Sequence, residues 1–435
     1  MLKRALHNFG VIIRGRALAG LFSVAATGLM ANALPAAEFG LIVLVHTYVM
    51  VIRGALNFKT FEAVVRFGIP LNDSGDKDGL RSLLRSTMLV DYSAGIVATL
   101  VAIAAAPLAS SLLHWSPETI HWAMGYSLVI LATANGTANG ILRVYDRFDA
   151  IGVQYTVAPA LRFLLIGIAW WLEAPMEVFM VAWGTAFALG HVYMSVRGFI
   201  ELRQHIETRL WQGFGWTDLT RRESDFWKFV RVVYWQTNID LLPKHVSVLL
   251  AGAILGPAAA GLFRLAREVS TILAQPALVL REVLFPDLTR SVHADDGNID
   301  SVPVKTAVVA GVAGLLFVAL SIVFGEPMLG VLGDEYVPAA PLLSLLLLAA
   351  SFDLSSASLR AAAYAMGQAA AVLNIHVVGI MTYIAAFFLL TPRLGLLGPG
   401  LAAVFAALLA MGLTARLINH LSASRRSRPL PRHRV

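Results

Sequence analysis

Residues 235–286 read WQTNIDLLPKHVSVLLAGAILGPAAAGLFRLAREVSTILAQPALVLREVLFP, a stretch as long as two membrane-spanning helices. A helix rises about 1.5 Å per residue, so roughly 20 apolar residues cross the hydrocarbon core of a bilayer. The apolar runs are interrupted by charged residues, namely Asp240, Lys244, Arg264, Arg267 and Glu268. An ionisable side chain at membrane depth is costly unless it lines a cavity or finds a partner. The stretch therefore predicts a membrane hairpin that faces a polar interior.

Part of the hairpin sequence is repeated near the N-terminus. The pattern Leu-x-x-Ala-x-x-Gly-Leu occurs at residues 34–41 and again at 255–262, an offset of about half the chain. A Leu-Arg pair at 142–143 recurs at 359–360, at nearly the same offset. A duplicated membrane protein with charges in its interior is typical of transporters.

The composition is that of a protein whose solvent is lipid. Hydrophobic residues make up 57% of the 435 residues and charged residues only 14%, which leaves too little polar surface for a soluble domain. We count about twelve membrane-length apolar runs. They centre near residues 27, 50, 98, 131, 166, 184, 246, 273, 315, 348, 380 and 406. The sequence predicts an all-α polytopic membrane protein with about twelve transmembrane helices.

The spans divide into two lobes of six helices. We expect an N-terminal lobe at residues 1–200, an amphipathic cytoplasmic linker at 201–228, a C-terminal lobe at 229–418 and a basic cytoplasmic tail at 419–435. Because each lobe has an even number of spans, the lobes should be related by an axis along the membrane normal. The cleft between them is the expected substrate site.

Lys and Arg concentrate in alternate loops, which sets the orientation. The N-terminal residues, the linker and the C-terminal tail are basic. Loops that would lie on the opposite side of the membrane, such as 110–119 and 256–260, carry no Lys or Arg. Basic loops resist translocation, so both termini are predicted to be cytoplasmic. The same distribution accounts for the net charge of +7 without nucleic-acid binding.

Several short motifs together resemble one transporter family. They are TNID at 237–240, ILGPA at 254–258, GLF at 261–263 and LFP at 284–286, supported by LGDEY at 332–336 and GPGLAA at 398–403. This set resembles the polysaccharide transporter family, the Wzx-type flippases for O-antigen and other lipid-linked oligosaccharides. That family lies within the multidrug/oligosaccharidyl-lipid/polysaccharide exporter superfamily.

The resemblance implies a MATE-like, V-shaped two-lobe fold that works by alternating access. It implies a flippase in the bacterial inner membrane, which translocates a polyprenyl-diphosphate-linked oligosaccharide for surface polysaccharide or lipopolysaccharide assembly. Membrane lipids, the polysaccharide polymerase and the chain-length machinery are the further implied partners. The lipid II flippases of the superfamily have two extra C-terminal spans that hold the lipid tail. This chain lacks them, so lipid II is the less expected substrate.

The predicted substrate-binding residues are arginines. A diphosphate loses its water only where cations replace it, and arginine offers a bidentate fork. In the lipid II flippases, arginines on the second and eighth helices face the cavity, and here Arg53 and Arg264 or Arg267 occupy comparable places. Arg162, near the middle of the fifth span, completes the set. The alternative for Arg53 is a structural pair with a buried carboxylate, and for Arg264 and Arg267 an outer gate.

Three carboxylates are candidates for coupling transport to an ion: Asp353, Asp240 and Glu62. Asp240 has Lys244 one turn later, so an ion pair explains it equally well. The sequence indicates no local partner for Asp353. Glu62 shares a predicted helical face with Lys59 and Arg66, which also fits an ion-pair network or a gate at the cytoplasmic end of the second span.

No motif in the chain indicates catalysis, a metal or a cofactor. The chain has no cysteine, and the histidines within spans lack metal-ligand spacing. We therefore expect a transporter and not an enzyme. Two alternatives stay open: a cation-coupled multidrug exporter of the same fold, and a membrane-embedded polysaccharide polymerase or ligase. The periplasmic loops are short for an enzyme of that second kind.

Overall fold

A computed structural model describes residues 2–113, 115–205, 224–239, 245–271 and 298–426. Every regular element within those ranges is a helix, as the sequence predicts. The α-helices are α1 (Leu2–Ala33), α2 (Ala36–Ala55), α3 (Thr60–Asp73), α4 (Lys77–Leu113), α5 (Pro117–Tyr126), α6 (Gly136–Val144), α7 (Phe148–Trp171), α8 (Met176–His205), α9 (Ser224–Ile239), α10 (Ser247–Leu255), α11 (257–271), α12 (Asn298–Gly330), α13 (Ala340–Ala365), α14 (Ala369–Leu394) and α15 (Leu397–Arg426). Short 3₁₀ helices at Ser127–Thr133 and Asp334–Ala339 precede α6 and α13.

Eight helices of the described residues are long and apolar enough to cross a membrane. They correspond to the predicted second, third, fifth, sixth and ninth to twelfth spans. The predicted first span is helical throughout, as α1. The predicted fourth span is broken into α5, a 3₁₀ helix and α6, and the predicted seventh and eighth spans include residues outside the described ranges.

The chain divides into two compact units, Met1–Ala260 and Gly261–Val435. Helices α9 and α10 belong to the first unit, where α9 packs on α3, and α10 packs on α2 and α4. Most of the predicted linker at 201–228 lies outside the described residues. The predicted lobe limits therefore stay a prediction.

Close backbone approach holds the first unit together, and the two copies of the repeated sequence pattern meet there. A Cβ on Gly40 of α2 would overlap the carbonyl oxygen of Pro257, and a Cβ on Gly252 of α10 would overlap the side chain of Leu44. Small residues let membrane helices approach this closely, so that van der Waals contact replaces the hydrophobic driving force that lipid does not supply. The glycine of the repeated pattern is thus a contact site as well as a sign of duplication.

The second unit is built on α13. This helix packs against α12 on one side and α15 on the other, and α14 packs mainly on α15. Gly311 and Gly314 of α12 face the hydroxyl groups of Ser355 and Ser351 on α13. Such glycine and serine contacts are typical of helix pairs in membranes.

Candidate functional site

Two helical stretches of the first unit are interrupted, and both interruptions line one cavity of about 210 Å³. Helix α2 ends at Ala55 and α3 begins at Thr60, while the 3₁₀ helix at Ser127–Thr133 is followed by α6 at Gly136. The residues of both breaks, 56–59 and 134–135, line the cavity. Non-helical backbone at membrane depth is tolerated where it lines a cavity, so the breaks themselves mark a site.

Local sequence explains the first break. Asn57 accepts a hydrogen bond from the backbone amide of Lys59 at 2.9 Å, and Lys59 takes a left-handed conformation with φ 50°. An asparagine that bonds the backbone two residues later stabilises a turn in place of a helix. The break is also braced by α9, because Tyr234 donates to the Ala55 carbonyl at 2.8 Å and stacks on Phe58. Lys59 is therefore outside α3, and the expected continuous helix carrying Lys59, Glu62 and Arg66 is wrong at this point.

Asp91 of α4 ties the two breaks together. Its carboxylate accepts from Thr60 Oγ1 at 2.5 Å, from the Thr137 backbone amide at 2.7 Å and from Thr137 Oγ1 at 2.6 Å. Thr60 and Thr137 lie in the first turns of α3 and α6, where unpaired amides and the helix dipole favour a negative charge. Asp91 thus caps the N-terminus of α6 through the Thr137 amide and bonds the hydroxyl of Thr60, the first residue of α3, so much of its hydrogen-bonding capacity is used within the protein.

Arg53 is the arginine that lines this cavity. It lies in the last turn of α2, partly buried, with its guanidinium 5.7 Å from the ring centroid of Phe187 and in electrostatic range of His191. Its Nε is shielded from solvent and forms no hydrogen bond. Among the ion pairs of the described residues, none involves Arg53. The alternative of a structural pair with a buried carboxylate finds no support within those residues.

The remaining polar lining consists of amides, hydroxyls, an imidazole and a second cation. Asn135 donates to His191 Nδ1 at 2.9 Å and to the His191 carbonyl at 3.2 Å, which fixes the wall between α6 and α8. The other polar lining residues are Asn57, Lys59, Thr133, Asn139, Gln154 and Tyr155. Carboxamides and hydroxyls of this kind form hydrogen bonds with sugars or phosphates equally well. The cavity therefore combines two cations and the Asp91 carboxylate with neutral hydrogen-bonding groups.

Arg162 is held elsewhere in the first unit. Its Nη2 donates to the Ser23 carbonyl at 2.7 Å and to Thr27 Oγ1 at 3.3 Å, and its guanidinium lies 4.7 Å from the ring centroid of Trp183. It joins α7 to α1 and α8 and is not among the residues that line the cavity. Its predicted role in substrate binding stays a prediction.

The other predicted arginines belong to the second unit. Arg264 Nε lies 3.4 Å from Glu268 Oε2, one turn further along α11. Arg267 lies in electrostatic range of Arg264 and of Tyr383 on α14. These contacts suit an internal ion pair, and the choice between substrate binding and an outer gate stays open.

The coupling candidates are placed as follows. Asp353 accepts from Arg360 Nη1 at 2.8 Å, so the expectation that it has no local partner is wrong; the partner lies two turns later on α13, beyond the one-turn spacing usually searched. Its side chain is 62% exposed in this unit. Glu62 lies in the first turn of α3, and Asp240 is outside the described residues, as is Lys244. Within the described residues, no cluster of three or more His, Asp or Glu could bind a metal.

Sequence reasoning missed Asp91 and the cavity itself. The available signals were an isolated acid in an otherwise apolar run and the turn-forming residues of 57–59 and the Asn-Gly at 135–136 inside predicted spans. Each signal was weak alone, because membrane helices tolerate single polar residues. Their convergence on one cavity is a property of the fold.

Comparisons with known proteins agree on the fold. No model of a known protein family matches the chain. A curated relative, Inner membrane protein YghQ of Escherichia coli (strain K12), is 29% identical over 332 residues, which cover 75% of this chain and 91% of the relative.

The solved structures that resemble the chain are transporters and a flippase. A multidrug resistance MATE family transporter of the MOP superfamily, in an inward-facing conformation, aligns with a TM-score of 0.71 at 16% identity, covering 95% of this chain and 96% of the other. The lipid II flippase MurJ aligns with a TM-score of 0.67 at 11% identity, covering 92% and 86%. The predicted MATE-like fold is confirmed.

Proposed function

We propose that the chain is a flippase of the bacterial inner membrane. Its substrate is a polyprenyl-diphosphate-linked oligosaccharide for surface polysaccharide or lipopolysaccharide assembly, including O-antigen. The observation that carries this proposal is Arg53, a deep arginine in a polar cavity with a shielded Nε and no carboxylate partner among the described residues. An unmatched deep cation is costly, so a ligand of opposite charge is the simplest reason for its presence.

The charged residues that line the cavity favour an anionic ligand. Asp91 accepts three hydrogen bonds from Thr60 and Thr137 and forms no ion pair with Arg53 among the described residues. Lys59 also lines the cavity. A diphosphate loses strongly held water on entering the protein, and an arginine fork with a lysine replaces that water with charge-assisted hydrogen bonds. The cavity amides and Tyr155 suit the first sugar.

The transport cycle that we propose is alternating access. Arg53 and Lys59 bind the diphosphate from the cytoplasmic side, and the predicted arginines Arg162, Arg264 and Arg267 assist along its path. Asp353, Asp240 and Glu62 remain the proposed coupling residues. The named neighbours support a transporter over a membrane polymerase or ligase, because they comprise transporters and a lipid II flippase.

A cation-coupled multidrug exporter is the second candidate. The likeness to the multidrug transporter favours it, as do Asp91 and the aromatic rings of Phe58 and Phe61 in the cavity lining. A lipophilic cation would need a carboxylate free to pair with it. Asp91 already accepts three hydrogen bonds from Thr60 and Thr137, which leaves less of its carboxylate for such a cation, and this is why we place this function second.

The test measures the binding of a fluorescent polyprenyl diphosphate to the purified chain in vesicles. Arg53→Ala should weaken binding about ten- to a hundredfold, the effect of one lost hydrogen bond to a charged group. Arg53→Lys should recover part of it, because a point charge replaces a fork. Arg66→Ala is the matched control: this exposed arginine on α3 stacks on Phe229, 4.6 Å away, and is outside the cavity.

Two results would overturn the proposal. One is wild-type affinity for the diphosphate in Arg53→Ala. The other is transport of a lipophilic cation that depends on Asp91 and is indifferent to Arg53, which would establish the exporter instead.

A further inference from the structure

A long apolar groove runs along the second unit between α12 and α15, with α13 as its floor. It consists of two cavities of about 410 Å³ and about 500 Å³ that are lined by the same three helices. On α12 the first cavity extends from Val304 to Leu315 and the second from Val318 to Glu326. The two cavities therefore follow one another along the same three helices.

Small residues of two helices line the first cavity. Gly311 of α12 lies against Ser355 of α13, and both of these residues and Ser351 line the cavity. Valine, leucine and isoleucine side chains make up most of the remaining lining. Among the described residues, the only charged lining residue is Glu326, at one end.

The length of the groove identifies the kind of molecule that fills it. From Val304 to Glu326 a helix rises about 33 Å, against a hydrocarbon core of about 30 Å. An acyl chain of a phospholipid belongs to one leaflet and reaches only about half of that thickness. A single chain that fills both cavities must be a longer hydrocarbon.

We propose that this groove binds the polyprenyl tail of the transported lipid. The inference rests on the proposed function, which supplies a long isoprenoid chain. Moving the tail from bulk lipid into the groove gives no favourable hydrophobic free energy, because lipid chains are as apolar as the walls of the groove. Selectivity comes from packing: the methyl branches of an isoprenoid fit the space beside the small residues Gly311, Ser351 and Ser355, where a linear chain leaves voids.

The experiment uses neighbouring valines of α12 in the full chain. Val308 lines the groove, whereas Val309 does not, although their exposures of 60% and 69% are similar. The chain is reconstituted in phosphatidylcholine vesicles with a diazirine-bearing polyprenol of bilayer-spanning length and no phosphate. We expect adducts on α12, α13 and α15 that Val308→Trp reduces about tenfold and Val309→Trp leaves unchanged, since blocking the groove costs about 1.4 kcal/mol of packing.

Three outcomes would overturn the groove proposal. They are equal labelling of both variants, labelling by a diazirine-bearing phosphatidylcholine that excess polyprenol does not compete away, and crosslinked dimers of the chain in place of lipid adducts. Repeating the experiment with Arg53→Ala separates this proposal from the proposed function. The polyprenol has no phosphate, so its labelling should not depend on Arg53 even if the cavity of the first unit binds something other than a diphosphate.

Discussion

The carboxylate of Asp91 stabilises two helix ends at once, and this decides what the nearby cavity can bind. An acid in a membrane cavity would ordinarily suggest a cation site. Here the two threonines at the starts of α3 and α6 already bond it, which leaves less of the carboxylate for a cationic ligand, whereas Arg53 lines the same cavity without an ion-pair partner among the described residues. The hydrogen-bond partners of a residue, more than its type, assign its role.

We predict that Asp91→Asn destabilises the protein. The amide keeps one acceptor oxygen but loses the charge that opposes two helix dipoles and at least one hydrogen bond, which together are worth about 1–3 kcal/mol. Thermal unfolding of the purified chain in detergent measures the loss. Asp78→Asn is the control, because Asp78 is 92% exposed and pairs only with Arg81. Equal stability of the two variants would contradict the capping role.

Asp353 remains the proposed coupling residue, now with a known partner in Arg360. Because the Asp353 side chain is 62% exposed in this unit, an ion or proton can reach the carboxylate and compete with the arginine. We predict that Asp353→Asn removes the acceleration of transport by a proton or sodium gradient while leaving substrate binding intact. Flux in reconstituted vesicles with and without each gradient checks this, with the exposed Asp334→Asn as control. Normal gradient dependence in Asp353→Asn would assign coupling elsewhere.

At the scale of elements, the sequence alone did not predict the breaks between helices at 56–59 and 134–135. Hydropathy predicts the spans because every backbone group in lipid must be satisfied within a helix. It averages over a turn of three or four residues, so the breaks at 56–59 and 134–135 were absorbed into apolar runs. Arg53 was predicted as a site residue from its depth, whereas Asn135, His191 and Asp91 join it only because α4, α6 and α8 pack around the break.

The contact between α2 and residue 257 gives a prediction for an element. A Cβ on Gly40 would overlap the Pro257 backbone, so Gly40→Ala should separate these elements and destabilise the chain by about 1–3 kcal/mol. Gly412 of α15 has open space around it, and Gly412→Ala should be neutral or stabilising by up to about 1 kcal/mol through helix propensity. Unfolding midpoints in detergent compare the two. A Gly40→Ala variant as stable as Gly412→Ala would mean that this packing is loose.

At the scale of the whole molecule, the fold follows from the sequence more completely than the site does. The all-α membrane architecture is fixed by composition and by apolar runs of bilayer length, both of which act over tens of residues. The arrangement of charges inside it depends on single side chains. This is why the confirmed MATE-like fold is compatible with anionic and cationic substrates alike.

The orientation of the chain in the membrane is the last prediction, and the proposed direction of transport depends on it. Lys and Arg concentrate in alternate loops, with Arg393 as an exception, so the turn at Ser74, followed by Lys77 and Arg81, should be cytoplasmic, and the turn at Ser116 should be periplasmic. Because the chain has no cysteine, Ser116→Cys and Ser74→Cys each carry a single thiol. In intact cells with a permeable outer membrane, an impermeant maleimide should label Ser116→Cys alone. In inside-out vesicles it should label Ser74→Cys alone. The reverse pattern would place both termini in the periplasm and reverse the side from which Arg53 is approached.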